Sequence, residues 1–253
     1  MRNDERETTK RAMRQGFFGR ATPSSMQIAL ISVGDEILSG DTVNTNAAWL
    51  GEQLTERGVS IERVFVVPDH VADIARVVNE SLAEYDAVIV TGGLGPTHDD
   101  LTMEGVAAAV GVPVEEHTEA VEWIETHSDY SHADLVSGTT HLPKGSRMLP
   151  NEVGVAPGAA IEDIYVLPGV PEEMKAMFER IAGEFDGDPY FRKVVPADEP
   201  ESALIDRFEE LRERFDVKVG SYPGDHVRVK IEGSNEEVVQ NAADWLRERV
   251  ERP

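Results

Sequence analysis

The sequence predicts an α/β protein in three layers, with a mostly parallel sheet followed by a small α+β domain. Short apolar runs alternate with stretches of helical periodicity, and the run at 87–90 has the β-branched character of a fully buried strand. The order β-α-β-α-β-α indicates parallel strands with helices on both faces. From Arg192 the pattern changes to β-α-β-β-α. The predicted organisation is therefore an extension at 1–25, an α/β domain at 26–190 and a small domain at 191–253.

The elements of the larger domain can be justified in order. Asn44 and Asn46 cap a helix with Ala47, Leu50 and Leu54 on one face, and Gly58 ends it. Pro171 occupies the first turn of the last helix, where a missing N–H costs nothing. The predicted elements are strand 27–33, helix 44–57, strand 59–67, helix 71–82, strand 87–90, helix 101–110, helix 116–128, a hairpin of strands at 156–161 and 163–167, and a helix from Pro171.

Charge excludes several classes of partner. Lys and Arg number 24 against 48 Asp and Glu, for a formal net charge of −24. Such a chain lacks the basic face that binds nucleic acid or an anionic membrane surface. The acidic residues are spread evenly, which fits a protein of a high-salt cytoplasm where screening removes their repulsion. The chain has no cysteine, which excludes disulfides and thiolate metal sites.

The first 25 residues differ from the rest in charge. They hold six basic residues against three acidic ones, and they lack an apolar signal-peptide core. Because Met26 opens the first strand directly, we interpret 1–25 as a mobile extension or the product of an upstream start codon. The alternative is a short helix that docks on a partner subunit.

A glycine loop joins the buried strand at 87–90 to the helix that follows it. The stretch from Thr91 to Thr102 reads TGGLGPTHDDLT, and three glycines in four positions allow a ligand to approach the backbone closely. The start of a helix after such a loop offers free N–H groups and partial positive charge. The predicted ligand is therefore an anion such as a phosphate. The loop lacks the Gly-Lys-Ser/Thr of a P-loop and the third glycine of a dinucleotide fingerprint.

Acidic residues gather at the same edge of the predicted sheet. Ligands of parallel sheets sit outside the carboxyl ends of the strands, where Asp35, Glu36 and Asp69 join the glycine loop. The pair Asp99 and Asp100 beside an anion loop is repulsive unless it holds a metal, a ligand hydroxyl or a proton. The alternative is that one of them caps the following helix.

This loop, taken with Asp69, resembles the MoaB/Mog molybdopterin-binding domain, and its form is similar to that of the CinA branch of this superfamily. The resemblance recurs in order at 32–50, 149–158 and 167–174. It implies Asp69 and Asp100 as catalytic residues and Asp99 with Asp100 as metal ligands. Loop and resemblance together predict these ligand-binding residues: Gly34, Asp35, Glu36, Asn46, Thr91, Gly92, Gly93, Leu94, Gly95, Pro96, Thr97, Asp99, Asn151, Glu152, Gly154, Pro168, Gly169 and Glu172.

The resemblance leaves three functions open. The first is hydrolysis of a nucleotide pyrophosphate, such as ADP-ribose, with a divalent metal of the Mg or Co type. The second is molybdopterin binding or adenylylation, and the third is a non-catalytic nucleotide-binding regulator. Homologous domains commonly associate, so a homo-oligomer is expected. The small domain resembles the middle domain of CinA proteins, and we expect no C-terminal deamidase domain, so that activity is not transferred.

The charge predicts that stability falls as salt is removed. The Debye length grows from about 3 Å at 1 M to about 30 Å at 0.01 M, so the acidic groups repel over a longer range. We expect a melting temperature several degrees lower at 0.01 M than at 1 M KCl, since about 2 kcal/mol corresponds to about 4–8 °C at this size. Equal melting temperatures would contradict the interpretation of the surface as a salt adaptation.

Overall fold

A computed structural model describes residues 26–95, 100–127, 138–187, 190–251 and 253, which form two compact units. The larger unit comprises the described residues up to 54 and from 59 to 186, and the smaller comprises 55–58 and the described residues from 187 onward. The predicted extension at 1–25 and three predicted site residues, Pro96, Thr97 and Asp99, lie outside the described residues.

The larger unit is an α/β structure around one twisted sheet. Its elements are β1 (Gln27–Val33), α1 (Asp35–Ser39), α2 (Thr45–Glu56), β2 (Ser60–Val67), α3 (Val71–Glu84), β3 (Ala87–Gly92), α4 (Thr102–Val110), β4 (Val114–Glu116), α5 (Thr118–His127), β5 (His141–Pro143), β6 (Arg147–Leu149), β7 (Gly158–Ile161), β8 (Ile164–Pro168), α6 (Pro171–Ile181) and a 3₁₀ turn at Ala182–Glu184. The six-stranded sheet has the order β2-β1-β3-β8-β7-β6. Strands β2, β1, β3 and β8 run parallel, and β7 is antiparallel to both its neighbours. The prediction of a mostly parallel sheet is confirmed.

Alternating side chains of the central strands supply two separate cores. Ile31 and Val33 of β1 pack into a cluster with residues of α3 and α4, including Ile74 and Val106. Leu30, one position along β1, belongs to the opposite cluster, which includes residues of α2 and α6 such as Leu54 and Phe178. Since successive side chains of a strand point to opposite faces, this division produces the three predicted layers.

The region between α4 and β7 contains strands that periodicity did not predict. Strands β4, β5 and β6 have three residues each, which is too short for an alternating pattern to be recognised. The hairpin of β7 and β8 was predicted, and β8 additionally pairs in parallel with β3, so Val88 lies opposite Ile164. The carboxyl end of β8 therefore lies beside that of β3.

The smaller unit is an antiparallel sheet with two helices. Its elements are β9 (Phe191–Ala197), a 3₁₀ turn at Glu201–Leu204, α7 (Ile205–Arg214), β10 (Lys218–Tyr222), β11 (Val227–Gly233) and α8 (Glu236–Arg247), and the strand order is β10-β11-β9. Val227, Val229 and Ile231 alternate into its core, as the sequence predicts. In the described parts of both units, no helix is long and apolar enough to cross a membrane.

The contact between α3 and α4 depends on a missing side chain. A Cβ added to Gly105 of α4 would overlap the side chain of Ile74 of α3. Gly51 also lies inside a helix, but a Cβ there would meet its nearest neighbour, Ile61, only at 3.7 Å. The two glycines therefore form a matched pair that separates helix propensity from packing.

We predict that Gly105→Ala destabilises the protein by about 1–3 kcal/mol, because overpacking outweighs the gain in helix propensity. Gly51→Ala, where nothing clashes, is expected to stabilise by about 0.5–1 kcal/mol. Denaturant unfolding of both variants measures the difference. Similar stabilisation by both alanines would show that α3 and α4 are not in close contact.

Candidate functional site

The carboxyl ends of the parallel strands meet at one edge of the sheet, beside a cavity of about 690 Å³. The N–H of Gly34, after β1, donates to the carbonyl of Val67 in β2, with N···O 3.1 Å. At the next position the N–H of Asp35 donates to Oδ2 of Asp69, at 3.0 Å. The cavity is lined by Val33, Glu36, Ile37, residues 42–46, residues 91–95, Asp100, Thr139, residues 154–156, residues 168–171 and Glu173.

Three helices begin at this cavity. Helix α2 begins at Thr45, directly after Asn44, whose Oδ1 accepts from the N–H of Ala47 at 3.1 Å and caps the helix. Helix α4 begins two residues after Asp100, and α6 begins at Pro171. The positive ends of three helices of 9 to 12 residues are thus brought to one cavity, an arrangement that favours an anionic guest.

Asn44 also ties its loop to the sheet. Its Nδ2 donates to Oγ of Ser32 in β1, at 3.0 Å, and Thr91 Oγ1 of β3 donates to the same oxygen at 3.4 Å. Ser32 and Thr91 are both buried. One polar chain therefore fixes the start of α2 against the ends of two strands, which positions the cavity wall that Asn44 forms.

Asp100 folds back on the glycine loop. A Cβ at Gly93 would overlap Oδ1 of Asp100, and a Cβ at Gly95 would lie 2.7 Å from its Oδ2. A side chain at either position would therefore displace the Asp100 carboxylate. The structure places the described glycines of the loop and Asp100 together on the cavity, as the sequence predicts.

Asp69 lies beside this group without lining the cavity. Burial raises the pKa of its carboxyl group above the usual value, and the negative charges of Asp35, Glu36 and Asp100 raise it further, whereas the hydrogen bond from the Asp35 N–H opposes the shift. Of these acids, Asp35 is exposed and outside the lining, and Glu36 lies on the cavity.

The loop at 151–156 is held in place by Asn151. Its side chain, only 4% exposed, donates from Nδ2 to the carbonyl of Ala156 at 2.9 Å and to Oε2 of Glu173 at 2.7 Å. Its Oδ1 accepts from the N–H of Gly154 at 2.8 Å. Asn151 therefore shapes the loop from behind, while Gly154 reaches the cavity.

Glu172, Glu152 and Gly34 are predicted ligand-binding residues that do not line the cavity. Glu173, and not Glu172, lines the cavity, because Glu172 points to the exposed side of α6. Glu152 forms an ion pair with Arg180 on the surface. Gly34 lies next to the carboxylate of Glu36, which occupies the space that a Cβ at this position would need. Asn46, Pro168 and Gly169 line the cavity. The predictions missed Glu173, Asn44, Thr139 and the apolar Val43, Val155 and Val170.

The charge of the lining is unusual for an anion site. The described lining residues include the carboxylates of Glu36, Asp100 and Glu173, and none of them is Lys, Arg or His. Nor does the part of the chain covered by the structure contain three His, Asp or Glu side chains grouped as metal ligands. Any cation at this site would therefore take part of its coordination from the ligand.

The raised pKa of Asp69 predicts that this carboxylate lowers stability at neutral pH. The folded state holds the Asp69 proton more tightly than the unfolded chain does, so this group's contribution is present below pH 3.8 and is lost as pH rises through the folded pKa. Asp69→Asn removes the partly buried charge and keeps an oxygen for the Asp35 N–H. We expect a melting temperature at pH 7 equal to wild type or up to about 4 °C higher, with the difference shrinking toward pH 4. A clear drop at pH 7 would contradict this account.

The chain matches two family models. Residues 29–187 match the probable molybdopterin binding domain, and residues 189–252 match the middle domain of FAD synthase. A protein of Archaeoglobus fulgidus is 40% identical over 88% of this chain and 97% of its own length, and one of Pyrococcus furiosus is 38% identical over 87% and 95%.

Two further relatives carry a more specific name. A CinA-like protein of Citrifermentans bemidjiense is 35% identical over 89% of this chain, which spans 58% of that protein. The crystal structure of the protein CinA from Thermoplasma acidophilum is 38% identical and covers 64% of this chain and 98% of its own, with a TM-score of 0.60. With the site geometry, these matches establish that the chain belongs to the MoaB/Mog-like molybdopterin-binding domain family, in its CinA-like branch.

Proposed function

We propose that this protein binds a small phosphorylated ligand and hydrolyses the pyrophosphate of a nucleotide such as ADP-ribose, with a divalent metal of the Mg or Co type. The observation that carries the proposal is the cavity onto which three helix starts and a glycine loop converge, with the Asp100 carboxylate against that loop. Backbone N–H groups supply the anion site, and the carboxylate supplies a group that can orient water.

The size and surface of the cavity suit a nucleotide or a pterin. Its volume of about 690 Å³ lies within the range of small-molecule sites. Apolar side chains, including Val33, Ile37 and Val155, line part of it and offer a surface for a ring system. The glycine loop lies on the same cavity, so a phosphate and a ring can be bound together.

The need for a metal follows from the charge. A pyrophosphate beside Glu36, Asp100 and Glu173 is repelled, and no described lining residue offers a positive side chain. Mg²⁺ is commonly held by one or two carboxylates together with substrate phosphates, so it does not require a group of three protein ligands. Asp100 would hold the ion with the phosphate oxygens, and Asp99, the next carboxylate in the sequence, is the second candidate. The ion supplies neutralisation of charge on the phosphates.

The chain's own residues then account for the remaining chemistry. The loop N–H groups at 92–95 bind one phosphate, and the Asp100 carboxylate orients a water molecule toward phosphorus. The water oxygen bonds to phosphorus, the anhydride P–O bond breaks, and two phosphate monoesters leave, with the water's protons released to Asp100 and solvent. Asp69, whose pKa is raised by burial and by the charges of Asp35, Glu36 and Asp100, would support Asp100 from outside the cavity lining.

A second candidate is molybdopterin binding or adenylylation, because the domain model that matches 29–187 is described as a probable molybdopterin binding domain. The same loop would bind the phosphate of the pterin. A non-catalytic nucleotide-binding regulator is the remaining possibility that the experiment below distinguishes. We further propose that the protein acts in a high-salt cytoplasm, in keeping with its net charge of −24. We also propose that it forms a homo-oligomer, as the family resemblance implies.

We predict that Asp100→Asn folds normally, binds ligand within about tenfold of wild type and loses turnover by roughly two orders of magnitude or more. Asparagine keeps the shape of aspartate, and among the described residues α4 has no side-chain cap hydrogen bond that the change could remove, so the loss isolates the charge. Asp69→Asn should lose turnover similarly. The measurement is hydrolysis of ADP-ribose and FAD by purified protein in molar KCl, with Mg²⁺, with Co²⁺ and with EDTA.

The matched control is Glu119→Gln, which neutralises a carboxylate in the first turn of α5, away from the cavity. It should retain wild-type turnover. Unchanged turnover of Asp100→Asn would return Asp100 to a purely structural role. Absence of hydrolysis by the wild-type protein, with retained nucleotide or pterin binding, would favour one of the binding functions.

A further inference from the structure

Asn46, a lining residue of the cavity, carries a buried amide oxygen that has no hydrogen-bond partner among the described residues. The side chain lies near the start of α2, lines the cavity and is 9% exposed. Its Nδ2 donates to the carbonyl of Gly169 at 2.7 Å, across the end of the sheet. Its Oδ1 is buried and has no hydrogen-bond partner within the described parts of the chain.

The orientation of this amide is determined by its neighbour. A backbone carbonyl can only accept a hydrogen bond, so the NH₂ group of Asn46 must face Gly169. The oxygen is then held on the other side of the amide and can only accept. A buried polar atom without a partner destabilises the folded state, and a ligand donor would relieve this penalty.

The residues around Asn46 indicate which kind of ligand group could donate a hydrogen bond to its oxygen. The charged side chains on the described lining, Glu36, Asp100 and Glu173, are acceptors when ionised. Gly169 follows Pro168, which pairs with Gly92 at the start of the glycine loop. Asn46 therefore lies next to the glycine loop. In a nucleotide the sugar is attached directly to the phosphates, and the base lies beyond the sugar.

We propose that Asn46 Oδ1 accepts a hydrogen bond from a sugar hydroxyl of the ligand, and that this contact makes the cavity selective for ribonucleotides. The inference rests on the proposed function in one respect, namely that a nucleotide phosphate occupies the glycine loop. It adds a specificity-determining residue, and it separates nucleotides from ligands that carry no hydroxyl beside the phosphate.

The test is a titration of the full-length protein, in molar KCl with Mg²⁺, against ADP, 2′-deoxy-ADP and 3′-deoxy-ADP. We expect wild type to bind one of the deoxy compounds about tenfold more weakly than ADP, the effect of one lost hydrogen bond to a buried group. Asn46→Ala should bind ADP about tenfold more weakly and no longer distinguish the three ligands. Purine-riboside diphosphate, which lacks the 6-amino group, tests a base N–H as the donor.

Asn79→Ala is the matched control, because it also removes an amide-to-carbonyl hydrogen bond, from Asn79 to Ala109, on a helix that does not line the cavity. It should keep the wild-type discrimination. The wild-type titrations can overturn the inference even if Asn46→Ala fails to fold. Equal affinity of wild type for ADP and both deoxy forms overturns the inference alone, as does a loss confined to the compound without the amino group. No binding of any nucleotide overturns the proposed function as well.

Discussion

The site depends on the direction of the strands. In a parallel sheet all strands run in the same direction, so their carboxyl ends lie at one edge of the sheet. The helix that follows each strand begins at that edge. Helices α2, α4 and α6 follow β1, β3 and β8, three strands that are adjacent in the sheet. Their positive ends meet at one cavity because of this topology, although the described lining holds no basic side chain.

The carboxylates at this edge of the sheet also interact with the positive helix ends. Asp100 lies just before the first turn of α4 and Glu173 lies in the first turn of α6, where a negative charge is stabilised. A bound phosphate would compete with them for the same positive ends. This competition is the physical reason for a metal in the proposed reaction, since a divalent ion lets carboxylates and phosphate occupy one site together.

Asp69 shows that the edge is not arranged for stability. Burial and three neighbouring acids raise its pKa, so the ionised form is held at a cost to the folded state at neutral pH. Its one backbone hydrogen bond, from Asp35, would be accepted equally well by an asparagine oxygen. Perturbed pKa values cluster at functional sites, so we interpret the charge of Asp69 as part of the proposed reaction.

Periodicity and turn chemistry predicted most of the fold and the general position of the site. The alternation of β11 and the helical faces of α2 and α6 are local properties of the sequence. The choice between Glu172 and Glu173 depends on helix phase. Glu173 lies four residues before Met177, so it shares the buried side of α6, and this signal was available in the sequence. The inward turn of Asn151 depends on partners up to 22 residues away and had no local signal.

The glycine loop illustrates what a motif alone leaves out. Read as a sequence, its glycines serve the close approach of a phosphate. In the structure, Gly93 and Gly95 also leave the space that the Asp100 carboxylate occupies. A side chain at either position would displace the acid even if the loop kept its backbone course. The anion site and the carboxylate are therefore one unit, since neither can be altered at these glycines without the other, and their separate contributions can be resolved only by changing the charge of Asp100 while its shape is kept.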